Sequence, residues 1–117
     1  MVKKYILSGK TSQDFATAML NKPQNRRQFI DPFLDSLGIE ITEFLFTSGS
    51  VSNFVSIVLA QSDENVETLC NIVFASGNFS NLNWSRAFEA EEYKKIFEVG
   101  NEKMEKYVSA LQVAGSN

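Results

Sequence analysis

Histidine is absent from the 117 residues, and cysteine occurs once, at Cys70. Without histidine there is no Ser-His-Asp or Cys-His catalysis, no histidine-ligated zinc and no proximal histidine for haem. One cysteine makes neither an internal disulfide nor a thiolate-rich metal site, which fits a reducing compartment. Its apolar helical position reads as a small core residue rather than a reactive thiol. Any metal would have to be a hard ion held by carboxylates, and no Asp-rich loop of calcium type is present. There is also no Gly-rich phosphate loop, and no pair of carboxylates spaced for acid–base work. Neither cofactor nor metal is therefore expected. No apolar run approaches the roughly 20 residues of a membrane-spanning helix. The apolar stretch after Lys3-Lys4 is short and soon reaches Lys10, so a signal peptide is not expected and the default location is cytoplasmic.

What is present describes a globular domain. Hydrophobic residues make up 44% and charged residues 21%, in a chain of ordinary single-domain length. The net charge of −3 is unevenly spread. Residues 1–38 hold six Lys/Arg against three Asp, a net +3, and the remainder carries −6. The first segment can present a weakly basic patch, or simply a solvated helix face and a charged sheet edge. A nucleic-acid binder usually shows a denser basic stripe and a basic isoelectric point; here the isoelectric point is near 4.9.

Along the chain, Lys3 to Gly9 reads as a strand with Tyr5 and Leu7 on one face and Ile6 on the other. Thr11-Ser12-Gln13-Asp14 offers an N-cap hydroxyl and an acid for the first helical turn. Phe29, Ile30, Phe33, Leu34 and Leu37 recur at three and four, an amphipathic stripe closed by Gly38. Pro32 interrupts that stripe and should kink the helix or restart it with Asp31 as cap. A further helix begins at Ser62-Asp63-Glu64 and buries Val66, Leu69, Cys70, Val73 and Phe74. Leu82, Trp84, Arg86 and Phe88 share one parity of a last strand. Glu89, Glu91 and Glu92 open the final helix, in which Gly100 marks a candidate break, and the tail Ala114-Gly115-Ser116-Asn117 is expected to fray.

The stretch the rest is organised around is residues 39–60. Ile39, Ile41 and Leu45 alternate with Glu40, Thr42, Phe44 and Phe46, the pattern of a strand. After Ser48-Gly49-Ser50 comes a run apolar on both parities: Phe54, Val55, Ile57, Val58 and Leu59. Two β-rich runs around a turn cluster read as a hairpin with a longer loop. The element order is then strand, helix, strand, strand, helix, strand, helix. This predicts an α+β fold, a ferredoxin-like βαββαβ sandwich with a four-stranded antiparallel sheet and a C-terminal helix. Helices from residues 12–38 and 63–76 cover one face. A strand apolar on both sides needs cover on the other as well. A homodimer through the open sheet face supplies it, with the last helix as clasp or rim. A charge at Phe54 or Val58 is then expected to give monomers or insoluble protein.

A family resemblance follows from these residues. Tyr5-Ile6-Leu7-Ser8-Gly9-Lys10-Thr11, then Arg26-Arg27 before a helix ending in Leu37-Gly38, resembles the start of the GYD domain family. Phe44 to Gly49, the apolar strand after it, and Arg86-Ala87-Phe88 before an acidic helix start match further along. The similarity covers roughly residues 4–97. It implies a small bacterial or archaeal protein of dimeric α/β-barrel type with no established activity. Residues 1–98 are read as this domain and residues 99–117 as a C-terminal helical extension. The Gly-Tyr-Asp signature that names the family is missing: Gly49 is followed by Ser50-Val51-Ser52-Asn53, so only Gly49 carries over, for its turn.

The residues left to carry a function are Tyr5, Asn53, Trp84 and Arg86, candidates for binding a ligand. Arg86 lies mid-strand and needs acceptors, either a carboxylate such as Glu43 or an anionic ligand. Tyr5 is otherwise a core tyrosine, and Asn53 and Asn83 otherwise strand-end amides. No residue is assigned a catalytic role. Three classes follow. The first is a non-enzymatic dimeric barrel whose cavity, between sheet and partner or sheet and helices, holds a small partly apolar molecule. The second is a cofactor-independent, oxygenase-like enzyme of the same barrel type, resting on fold analogy. The third is a single-strand nucleic-acid module, for which Leu82-Asn83-Trp84-Ser85-Arg86 lacks the aromatic pattern and the basic surround. No nucleic-acid or membrane partner is expected.

Overall fold

In the computed structural model, which describes residues 1–115, the chain runs β1 (Lys3–Thr11), α1 (Gln13–Asn21), α2 (Arg27–Ser36), β2 (Glu40–Phe46) and β3 (Phe54–Ala60). It continues through α3 (Asp63–Ala75), β4 (Phe79–Ala87), α4 (Ala90–Lys103), a 3-10 turn (Met104–Lys106) and α5 (Ala110–Val113). Of the tail expected to fray, Ser116 and Asn117 lie outside the described residues. The four strands form one antiparallel sheet in the order β2-β3-β1-β4. That order, with helices in the two crossovers, is the ferredoxin-like arrangement. The chain divides into two compact units, one from Met1 to Ala87 that contains the whole sheet, and one that starts at Phe88. No helix among the described residues is long and apolar enough to cross a membrane.

Helix ends follow local chemistry. The Ser12 hydroxyl accepts from the Phe15 N–H at 3.1 Å, and the Ser62 hydroxyl accepts from the Asn65 N–H at 3.2 Å. Each satisfies a backbone donor that the first helical turn leaves open. Gly38, at φ +70°, lets the chain leave α2. The Ile39 N–H reaches back to the Leu34 carbonyl and the Gly38 N–H to that of Asp35, both at 3.0 Å, while Leu34 and Ile39 are buried. This is the Schellman ending with its apolar clasp. α2 runs through Pro32 without restarting. The proline's missing N–H frees the carbonyl of Gln28, an exposed residue whose carbonyl can turn to water. Asp31 is not a cap; it takes Arg27 Nε at 2.7 Å, one turn back. α4 likewise passes Gly100 unbroken and changes only after Lys103.

Pairing register sorts the strands into two faces, since directly opposed residues point the same way. Tyr5, Leu7 and Gly9 sit opposite Val58, Ser56 and Phe54 on one side and Arg86, Trp84 and Leu82 on the other. All of them face α1–α3. Gly9 is required there: a Cβ would meet the Asn81 carbonyl oxygen at 2.3 Å. A bulge in β2 between Ile41 and Glu43 turns Ile41, Phe44 and Phe46 toward the helices and Leu45 away. Simple alternation had put Ile41 and Leu45 together, and the extra residue, Thr42, breaks that. Hydroxyls tie down this stretch: Ser56 Oγ donates to the Glu43 carbonyl at 2.6 Å and Thr42 Oγ1 to that of Ile57 at 3.1 Å.

The core is therefore Tyr5, Leu7, Leu34, Ile39, Phe54, Val58, Ala60, Val66, Leu69 and Cys70, between the sheet and the helices of the first unit. Each large apolar side chain there contributes about 1.5–3 kcal/mol by leaving water. Phe54 and Val58 belong to this core. A charge at either breaks the chain's own fold and says nothing about a second copy. The outward residues of β3 are Val55, Ile57 and Leu59, flanked by Ile6 and Leu45, which are 38% and 50% exposed.

Candidate ligand pocket

The helix-covered side of the sheet differs between its two ends. At one end α3 is bolted to the sheet by polar groups. Tyr5 is fully buried, and its hydroxyl donates to Asp63 Oδ1 at 2.6 Å. Burial pushes the Tyr5 phenol up to about 12, helped by that hydrogen bond and the charge of Asp63, with Arg86 opposing. The Tyr5 ring meets Trp84 edge to face, centroids 5.6 Å apart, and Trp84 Nε1 donates to Glu67 Oε1 at 2.7 Å. Asp63 and Glu67 lie one turn apart on α3, so two successive turns are each tied to a different strand. At neutral pH Tyr5 is a protonated donor, suited to holding α3 rather than to taking a proton. Cys70, one turn further, is buried, and burial with the nearby Glu67 charge pushes its thiol up to about 11. It behaves as the core residue expected.

Three of the four sequence-predicted residues, Tyr5, Trp84 and Arg86, are thus neighbours on one face. Glu43 is not the carboxylate for Arg86. It lies on the edge strand β2, with β3 and β1 in between, and opposite Ile57 on the other face of the sheet. Asn53 is elsewhere. Its Oδ1 accepts from the Thr11 N–H and its Nδ2 donates to Thr11 Oγ1, both at 2.9 Å, while its own N–H donates to the Gly9 carbonyl at 2.9 Å. With the Thr47 N–H on the Asn53 carbonyl at 2.8 Å, it staples the hairpin loop to the end of β1. Lys10 Nζ donates to the Gly49 carbonyl at 3.0 Å and holds the same loop from its other side.

At the opposite end packing is incomplete. A void of about 580 Å³, counting its open mouth, lies between the sheet and α1, α2 and α3, and about 50 Å³ of it is open to the centre of a water molecule. Its walls are Leu7, Phe54 and Val58 of the sheet centre, Phe44 and Phe46 of β2, Phe79 and Leu82 of β4, Phe15 of α1, Ile30 and Leu34 of α2, and Leu69 and Val73 of α3. The rings form a connected set: Phe54 lies 5.2 Å from Phe44 and 5.1 Å from Phe79, Phe46 lies 5.5 Å from both Phe44 and Phe54, and Phe15 stacks on Phe46 at 5.8 Å. Such rings hold each other at fixed angles and leave space that none of them fills. The α1 side of the void is weakly anchored. α1 buries no residue, and its Leu20 is 83% exposed.

Three polar groups reach this wall: Ser56, Asn78 and Arg26. The Ser56 hydroxyl is committed to the Glu43 carbonyl. The Asn78 side-chain amide makes no hydrogen bond among the described residues. Arg26 is half-buried, donates from Nη1 to Gln24 Oε1 at 2.5 Å and stands 5.6 Å from the Phe29 ring centre. It makes no ion pair among the described residues, unlike its neighbour Arg27. A void of this kind can take an apolar group out of water, with polar groups on part of its wall to orient it. No group of three or more potential metal ligands occurs among the described residues. None of Tyr5, Asn53, Trp84 and Arg86 lines the void. Sequence reasoning named Arg26 in a basic patch and in the Arg26-Arg27 pair of the family resemblance; the signal it passed over was phenylalanine at strand positions, Phe44, Phe46, Phe54 and Phe79, four of the ten in the chain. The chain matches no family model, no curated protein and no solved structure.

Proposed function

We propose that this protein is a homodimeric, cytoplasmic binding protein that holds a small, partly apolar molecule between its sheet and its helices. The observation that carries the reading is the phenylalanine-walled void. Cores are normally filled to crystal-like density, and an apolar space left open beside well-packed neighbours costs stability that a ligand can restore. The buried free thiol of Cys70 supports a reducing compartment. Element order and the spacing of Tyr5–Thr11, Arg26-Arg27 and Leu37-Gly38 support membership of the GYD domain family, with its dimeric barrel architecture. Within the first unit, helices pack on one side of the sheet, and the apolar stripe of Ile6, Leu45, Val55, Ile57 and Leu59 on the other side supports pairing with a second copy.

Native mass spectrometry of gently purified protein tests both parts. A dimer with a reproducible extra mass, lost in Ile30→Phe, is the expected result. Ile57→Lys should give folded monomers at micromolar concentration. A dimer that survives Ile57→Lys removes the sheet-to-sheet pairing, and added mass that persists in Ile30→Phe removes the pocket as its seat.

A further inference from the structure

We propose that the pocket's ligand is a small aromatic carboxylate, its ring among the phenylalanines and its carboxylate on Arg26. The inference rests on the binding function proposed above and specifies the chemistry of the ligand. Two observations carry it. The walls are almost wholly hydrocarbon and aromatic, with Phe44, Phe46, Phe54 and Phe79 set at 51–83° to one another where they pair. A planar ring entering this set finds both edges and faces to meet, the geometry aromatic pairs favour.

The second observation is the state of Arg26. A guanidinium has five N–H donors. Only one hydrogen bond from it is formed among the described residues, to the neutral amide of Gln24, and no carboxylate lies within ion-pair distance. Its neighbour Arg27 does pair, with Asp31 at 2.7 Å. Arg26 is therefore a cation on an apolar wall, half withdrawn from water, with donors left over in the planar fork that matches a carboxylate. Phosphate esters fit less well, since the wall offers one cation for at least one further charge. About 50 Å³ of the space is open to the centre of a water molecule, less than the ~150 Å³ of a cavity that takes benzene, so a ring enters only as α1, which buries no residue, moves outward.

The probes are 3-phenylpropanoate and its neutral isostere 3-phenylpropanamide, titrated calorimetrically into the intact protein at pH 7. In the unaltered protein the carboxylate should bind about tenfold tighter than the amide, the size expected of one partly exposed charge-assisted pair. Arg26→Met should abolish that preference, bringing the two probes to the same affinity, with a thermal melt confirming that the variant is folded. Equal affinity for the two probes in the unaltered protein overturns the carboxylate assignment while leaving the pocket standing. Failure of both probes to bind overturns the pocket as well. A preference that survives in Arg26→Met removes Arg26 as the anchor.

Discussion

The two ends of the space beneath α3 are built from the same sheet and the same helix, and they differ in how they are closed. At the Tyr5 end two hydrogen bonds to carboxylates, 2.6 and 2.7 Å long, join α3 to β1 and β4, and the rings interlock. At the Phe54 end no such bond ties α3 to the sheet among the described residues, and the rings and aliphatic side chains leave a void. Directional contacts fix a helix at a set height above its sheet. Beyond the last bolt the height is inherited, and side chains of the available sizes need not fill what remains. Two of the residues with the most conspicuous chemistry, Tyr5 and Trp84, thus hold the scaffold, and the plainest ones frame the space.

Several variants would sharpen or break this contrast. The largest effect is expected where both ends share a residue: Val58 is 1% exposed, and Val58→Asp places an unpaired charge there, costing about 3–5 kcal/mol. That is much of the ~5–15 kcal/mol a domain has, so circular dichroism should show unfolded or insoluble protein. Next come added side chains. Ala60→Leu, at a fully buried position, should cost about 1–3 kcal/mol, whereas Ile30→Phe at the void should stay within about 1 kcal/mol of zero. Equal penalties in urea melts would mean that the two ends are equally full. Tyr5→Phe removes one bolt and should cost about 1 kcal/mol, since the exposed Asp63 regains water.

A further effect is read in alkali. Unfolding returns the Tyr5 phenol from about 12 to its ordinary 10, and the Cys70 thiol from about 11 to 9. The unfolded chain therefore loses these protons first, and stability falls as pH rises from about 9 toward 12. Tyr5→Phe should flatten the upper part of that fall and Cys70→Ala the lower part. A melt series from pH 8 to 11 checks the slope.

Much of the fold was legible because its signals are local. Ser12, Ser62 and Gly38 each perform a task that one or two neighbouring backbone groups demand, and the order of elements leaves few ways to pair four strands. Face assignment in the hairpin was not legible. β3 is apolar on both parities, so its pattern carries no information about which side meets the helices; pairing with β1 decides that Phe54 and Val58 go in and Ile57 goes out. The bulge at Thr42 defeated alternation in β2 for a related reason, since a two-residue rhythm cannot show an inserted residue. Parity did bring Trp84 and Arg86 to one face with Tyr5. It could not show the pocket, because the void arises from side chains on four strands and three helices that no sequence window contains together. Asn53 was misplaced because an amide beside a strand end serves a loop staple as readily as a ligand.

The most direct test is a titration of the methyl-labelled protein with toluene, followed by carbon–proton NMR. Shifts are expected at the methyls of Leu34, Leu69, Val73 and Leu82, which line the void, with Val66 at the bolted end unmoved. Unchanged spectra at millimolar toluene, or shifts at Val66 instead, would contradict this.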